Sequence, residues 1–210
     1  FEHDLFRKPV STFRDHALER NNDLAEHLAA LQSCEATLEL AERCRYYAEH
    51  SNQVVRLALA LFDQTRAIHG LTDREREWLE YASLMHDIGG HISFSGHHKH
   101  SYYLIKNGDL RGFHPDEIEV MALVARYHRR GTPKRSHPQY AQLPTTLRRT
   151  VRTLASILRV AESLDRSHAQ PVSGLEVHDR GETVVIQLHS AGDAELEVWA
   201  TARHLEPFEQ

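Results

Sequence analysis

The chain has little cysteine, no long apolar run and no excess of basic charge, and each shortage removes a class of protein. Two cysteines, Cys34 and Cys44, lie ten residues apart in a helical stretch. They are too few for a disulfide framework and wrongly spaced for a CxxC zinc site. No apolar segment reaches the roughly 18 residues that a membrane-spanning helix requires. Lys and Arg number 25 against 30 Asp and Glu, a formal net charge of -5. That balance excludes a basic nucleic-acid-binding surface as the dominant theme. Phe1 to Pro9 is charged and lacks the apolar core of an export signal, and the first residue is not Met. The expectation is a cytoplasmic protein, read as a fragment of a longer chain or as a processed one. There is no internal repeat and no low-complexity segment.

What is abundant is histidine, at 17 of 210 residues. Apolar residues at 40 % and charged residues at 26 % are an ordinary globular mix. The length suits one domain with a small appendage and is ample for a hydrophobic core.

Residues 1–33 read as an N-terminal tail and a helix, Phe13 to Leu31, with Leu24, Leu28 and Leu31 on one side. A long helical region, bent or split, follows from Cys34 to His69. His50, Val54, Leu57 and Leu61 share one face of it, and Gly70 marks its stop. Thr72 with Glu75 three residues on predicts a capping box. The helix it opens carries Leu79, Ala82 and His86 on one face and ends at Gly89 and Gly90. His91, His97, His98 and His100 are expected in or near a loop, before a short helix from Ser101 to Asn107. Pro115 at N1 opens a helix to about Arg129, with Ile118, Met121, Ala125 and His128 along its stripe. After a turn-rich basic loop, a last helix runs from about Pro144 to Ser167. Leu147, Val151, Leu154, Leu158, Ala161 and Asp165 form its face. Beyond Pro171 the period changes to alternation at Leu175 and Val177, at Val184, Ile186 and Leu188, and at Leu196, Val198 and Ala200. Gly181 marks a hairpin turn between the first two runs. The prediction is a mainly α helical bundle over 34–170 with a small three-stranded antiparallel β-sheet over 171–210. Such a sheet requires a partner surface.

Each apolar stripe includes or ends in a residue able to bind metal: His50, His86 with Asp87, His128, and Asp165. A buried carboxylate is costly unless paired or metal-bound. Helical bundles let facing side chains converge in the core. Taken singly, each of these residues has a plain structural reading, since His50 can be a core histidine and Asp165 a cap or an arginine partner. Taken together, His50, His86, Asp87 and Asp165 could close around one divalent ion. His128, with one or two of His91, His97, His98 and His100, could hold a second. Imidazole and carboxylate suit Mn, Fe, Ni, Zn or Mg to different degrees. Lys99, Arg129, Arg130 and Lys134 form local basic groups suited to phosphate, or alternatively a solvated loop.

His50, His86-Asp87 and Asp165 on successive helices resemble the HD-domain metal-dependent phosphohydrolase superfamily. The resemblance extends to Leu57 through Gln64, His69-Gly70-Leu71, Leu79 to Gly89, His97-His98-Lys99-His100-Ser101, Val124 to Arg130, Leu154 to Asp165 and the β tail from Val172. Over these segments the chain is similar to the C-terminal HD-like domain of the exopolyphosphatase/guanosine pentaphosphate phosphohydrolase family. The resemblance covers about residue 36 to the C-terminus. It implies an HD-type bundle and divalent-metal hydrolysis of a phosphate ester or anhydride, on a nucleotide or polyphosphate. It carries over His50, His86, Asp87 and Asp165 as ligands, with His128 and His98 or His100 as ligands to a further ion. In this reading Asp87 or a neighbouring histidine orients the water, and His98 or His128 moves a proton to the leaving group. The alternative it implies is a noncatalytic polyphosphate- or nucleotide-binding and dimerisation domain, since the exopolyphosphatase chemistry belongs to preceding ATPase-like domains. Either way the expected partner is a small phosphate compound or polyphosphate, with a second copy of the chain.

Overall fold

A computed structural model describes residues 24–203 except 130 and 182, with side chains from residue 30 onward. The predicted tail and most of the predicted first helix lie outside the described residues. The elements run α1 (Leu24–Arg43), α2 (Ala48–Gln64), α3 (Arg66–His69), α4 (Asp73–Leu84), a 3-10 turn (Ile88–His91), α5 (His97–Lys106), α6 (Pro115–Arg126), α7 (Pro138–Gln142), α8 (Thr145–Ser163), β1 (Val172–Asp179), β2 (Val184–Ser190) and α9 (Glu195–Ala202).

The bundle is built around α8. From Leu154 to Ser163 every residue is buried, because α2, α4 and α6 all pack on this helix. The face predicted for it is the one the core uses, with Val151, Leu154, Leu158 and Ala161 fully buried. Thr72 and Glu75 form the predicted capping box at the start of α4, and Glu117 closes another at the start of α6 by accepting the His114 N–H. Gly70 ends α3 in the left-handed region, at φ 67°. Arg74 ties α4 to α6 through Glu117.

Four sequence expectations are corrected. The break placed before Cys34 is absent, because nothing between Leu31 and Cys34 interrupts a helix and Thr37 bonds back to Ser33 O. The split falls instead at residues 44–47. The helix before His86 ends at Leu84, so His86 and Asp87 stand on a turn. The histidines after Gly90 do not share a loop, since His97, His98 and His100 open α5. The third strand is a helix, α9, and the sheet has two strands. Leu, Glu and Ala in this segment are good helix formers, and Glu197 anchors it by accepting the Ser167 N–H at 2.9 Å. The alternation of Leu196, Val198 and Ala200 does not track burial there, since Leu196 and Val198 are exposed.

The partner surface of the hairpin is α2. Gln53 and Arg56 donate to Val172 O, and Gln64 bonds both Leu175 O and Val177 N. Strands β1 and β2 pair antiparallel with a bulge at Val172–Gly174.

Gly89 is required by close approach. A Cβ there would collide with His97 O and with the Ser101 backbone N, and would lie 2.8 Å from Ser101 Oγ. Gly89 N–H donates to that hydroxyl at 2.9 Å. The Gly89→Ala variant should lose about 1–3 kcal/mol by urea unfolding, because α5 must move away from the turn. An acid-side prediction comes from Asp63, which joins α2 to α4 through two bonds from Arg76. Burial alone would raise its carboxyl, but Arg76 and Arg66 hold it below the ordinary value. A lowered folded pKa means the contribution is present above the unfolded value near 3.9 and lost as pH falls through the folded one. Asp63→Asn should therefore flatten the acid limb of stability against pH and cost under about 1 kcal/mol at neutral pH.

Candidate metal centre

Five histidines and two aspartates meet where α2, the turn after α4, the start of α5, the turn after α6 and the end of α8 converge. His50 comes from the first turn of α2 and His97 from the first residue of α5. His86 and Asp87 come from the turn after α4, and His128 from the turn after α6. His50, His86, His97 and His128 are all buried, while the Asp87 side chain is 33 % exposed.

One rule governs the buried imidazoles. His86 Nδ1 lies 2.7 Å from Ser83 O, His97 Nδ1 3.0 Å from Phe94 O and His128 Nδ1 2.6 Å from Ala125 O. A carbonyl oxygen only accepts, so each Nδ1 carries the hydrogen and donates. In each case the carbonyl belongs to the residue three positions earlier. His50 Nδ1 donates in the same way to Asp165 Oδ2 at 2.7 Å. The four Nε2 atoms are thereby turned inward, and fixing the second ring nitrogen this way is the usual device for orienting a ligating histidine.

The inward atoms form two groups that share Asp87. In one, His50, His86 and Asp87 offer ligand atoms within 4.8 Å of one another; in the other, Asp87, His97 and His128 do. His97 Nε2 is 3.0 Å from Asp87 Oδ1 and 3.2 Å from His128 Nε2. His86 Nε2 is 3.8 Å from Asp87 Oδ2. Nε2 of His50 and of His86 are buried and make no hydrogen bond. Leaving such an atom unpaired costs about 1–3 kcal/mol. The arrangement fits a divalent cation, because a cation would satisfy these lone pairs together. Electrostatics agree. Burial alone would raise the Asp87 carboxyl, but the imidazoles of His86, His97 and His128 hold it far below the ordinary range. Burial pushes His86 down and His128 well down. His97 is raised by its hydrogen bond to Asp87.

The structure brings together most but not all of the residues singled out from the sequence. His50, His86, Asp87 and His128 meet as expected. Asp165 is fully buried, but its oxygens face His50 Nδ1 and the Gln170 N–H at 2.7 Å. It orients His50 here rather than standing among the inward atoms. His97 occupies the place given to His98 and His100, which join neither group. His98 follows it by one residue, about 100° round the helix. His97 shares its face with Ser101 and Ile105, both fully buried, and that i, i+4, i+8 pattern was legible. His168 stands on none of the apolar stripes, yet its ring stacks on His50 at 3.8 Å and 6°, with Tyr47 stacked against it as well. No periodicity marks it, since it follows the end of α8 at a φ of 58°. Among the basic residues, the Arg129 guanidinium lies 5.4 Å from the Phe94 ring, whose own centroid is 5.6 Å from that of His97. Lys99 is exposed, about 200° round α5 from His97. Lys134 is exposed in the next loop, and Arg130 lies outside the described residues.

A helical bundle that gathers histidines and an aspartate from successive helices into such groups fits the fold of metal-dependent phosphohydrolases. The chain belongs to the family described as Ppx/GppA phosphatase, domain III, whose profile matches residues 35–197. It is 32 % identical over 123 residues to the guanosine-5'-triphosphate,3'-diphosphate pyrophosphatase of Aeromonas hydrophila, covering 58 % of this chain and 24 % of that protein. It is 31 % identical over 93 residues to the protein of the same name from Pseudoalteromonas translucida, covering 40 % of this chain and 18 % of that one. The chain thus spans about a quarter or less of the curated relatives it matches.

Metal should stabilise the protein through these groups. Free metal at about a hundred times its dissociation constant contributes about 2.7 kcal/mol, or roughly 5–10 °C in Tm for a chain of this size. Asp165→Asn should retain the fold but lower metal affinity by about 10–100-fold, read as a smaller Tm rise at equal metal.

Proposed function

We propose that the chain is a divalent-metal phosphohydrolase module acting on a phosphate ester or anhydride, with sites for two ions bridged by Asp87. The observation that carries this reading is the inward convergence of the His50, His86, His97 and His128 Nε2 atoms on the Asp87 carboxylate. His50 and His86 with Asp87 would hold the first ion, Asp165 orienting His50 or joining as a fourth ligand. His97 and His128 with Asp87 would hold the second. The imidazole-rich donor set favours Mn, Fe, Ni or Zn over Mg, which prefers oxygen ligands. Such ions, when bound, polarise phosphoryl oxygens and lower the pKa of water.

The remaining residues supply binding. Asp87 is the part of the cluster open to solvent, so a substrate phosphate approaches there. Arg129 lies over the Phe94 ring, and its charge is felt at His97. A guanidinium in that position can take two phosphate oxygens at once. Lys134 follows in the next loop and extends the positive charge. The free, buried cysteines Cys34 and Cys44 favour a reducing, cytoplasmic setting. No helix among the described residues is long and apolar enough to cross a membrane. The exposed Leu196, Val198 and Trp199 of α9 support a homodimer.

The noncatalytic alternative gains support from the small share of its relatives that the chain spans. Turnover separates the two readings. Metal-loaded protein should release phosphate from a nucleoside phosphate or from tripolyphosphate, and Asp87→Ala should lower the rate by at least about a hundredfold. Phosphate binding without release, unchanged in Asp87→Ala, would establish a binding domain instead.

A further inference from the structure

The cavity behind the His128 turn is unused by this account and has its own chemistry. It is lined by Tyr127, Thr132, Arg152, Ser156 and Arg159, among others. Its volume of about 110 Å³ is well above the roughly 10–15 Å³ that one water requires on the same measure. Among the described residues no carboxylate lines it. Arg159 is buried at 6 % exposure, and burial pulls its pKa down. Its charge meets carbonyl oxygens rather than an acid in the wall: Nη2 donates to Tyr127 O at 2.9 Å and to Gly131 O at 2.6 Å. The nearest acidic influence is Glu162, which is paired with Arg166 at 2.9 Å. Arg152 stands exposed at the cavity with no ion pair among the described residues.

A buried guanidinium without a facing carboxylate is costly. A second guanidinium and a hydroxyl at the same cavity leave one class of ligand that answers all of them. We propose that this cavity is a phosphate-binding site, separate from the metal centre, that takes a tetrahedral phosphoryl group between Arg152 and Arg159, with Thr132 contributing its hydroxyl. Guanidinium forks match phosphate oxygens in pairs. The ligand is either free orthophosphate or the end of a polyphosphate chain, which present the same group. Arg159 also spans the two ends of the turn that carries His128, since it holds Tyr127 O and Gly131 O. Occupation of the cavity is therefore linked to the position of a residue in the metal cluster.

The test uses the full chain, stripped of metal with a chelator so that the cluster cannot bind phosphate through an ion. Orthophosphate and tripolyphosphate are titrated separately, followed by amide NMR shifts and calorimetry. The expected result is shifts centred on residues 131–133 and 152–156. Arg152→Glu should weaken binding by at least about tenfold and Arg152→Lys by less. Arg152 is exposed and unpaired, so unchanged circular dichroism is expected for both variants. Equal binding of the two anions identifies free phosphate, and binding of tripolyphosphate alone identifies a chain end. Absence of these shifts with both anions, or binding undiminished in Arg152→Glu, overturns the proposal. Neither outcome depends on whether the metal-loaded protein hydrolyses anything.

Discussion

The constraint on which the site depends is the commitment of every Nδ1–H in the cluster to an oxygen outside it. Ser83, Phe94 and Ala125 supply carbonyls and Asp165 a carboxylate. Each bond fixes a tautomer and a ring orientation, and together they force the Nε2 lone pairs toward one another and toward Asp87. Such an arrangement works against the fold unless a cation joins it, because buried lone pairs with no donor are costly. The fold is arranged to bear that cost. α8 is buried nearly all round over its second half, the bundle packs on it, and Gly89 lets the turn bearing His86 and Asp87 touch α5 with no side chain between.

The same constraint explains what could be read from sequence. Helices show their inner face by period, so His50 and the stripe of α8 ending at Asp165 were visible. His86 and His128 were visible for a related reason: each stands just past a helix end and still continues that helix's face. His97 was the miss. With the loop after Gly90 assumed to run to His100, none of four histidines had a register, and His98 and His100 were preferred. Once α5 begins at His97, Ser101 and Ile105 define its inner face. His168 could not be found by period, because its position comes from a left-handed turn and a ring stack on His50. The third strand failed for the opposite reason. Its alternation was real in the sequence but did not follow burial, and helix propensity with the Glu197 anchor prevailed.

Membership of the Ppx/GppA phosphatase domain III family relates the bundle to longer proteins whose named activity belongs to whole chains. In this chain the metal-type residues are present together and oriented alike. A purely structural bundle would have no reason to leave the His50 and His86 Nε2 lone pairs buried without a donor beside Asp87. The basic loop after His128 then has two readings in one neighbourhood, Arg129 toward the cluster and the Arg152–Arg159 cavity behind the turn.

The central claim is that the converging Nε2 atoms and Asp87 hold metal. The most direct measurement is anomalous diffraction from crystals of the full chain grown with Mn or Zn, with data on both sides of the absorption edge. The account predicts anomalous peaks between His50, His86 and Asp87 and between Asp87, His97 and His128. Crystals grown with saturating metal and showing no anomalous peak within ligand distance of any of these side chains would contradict it.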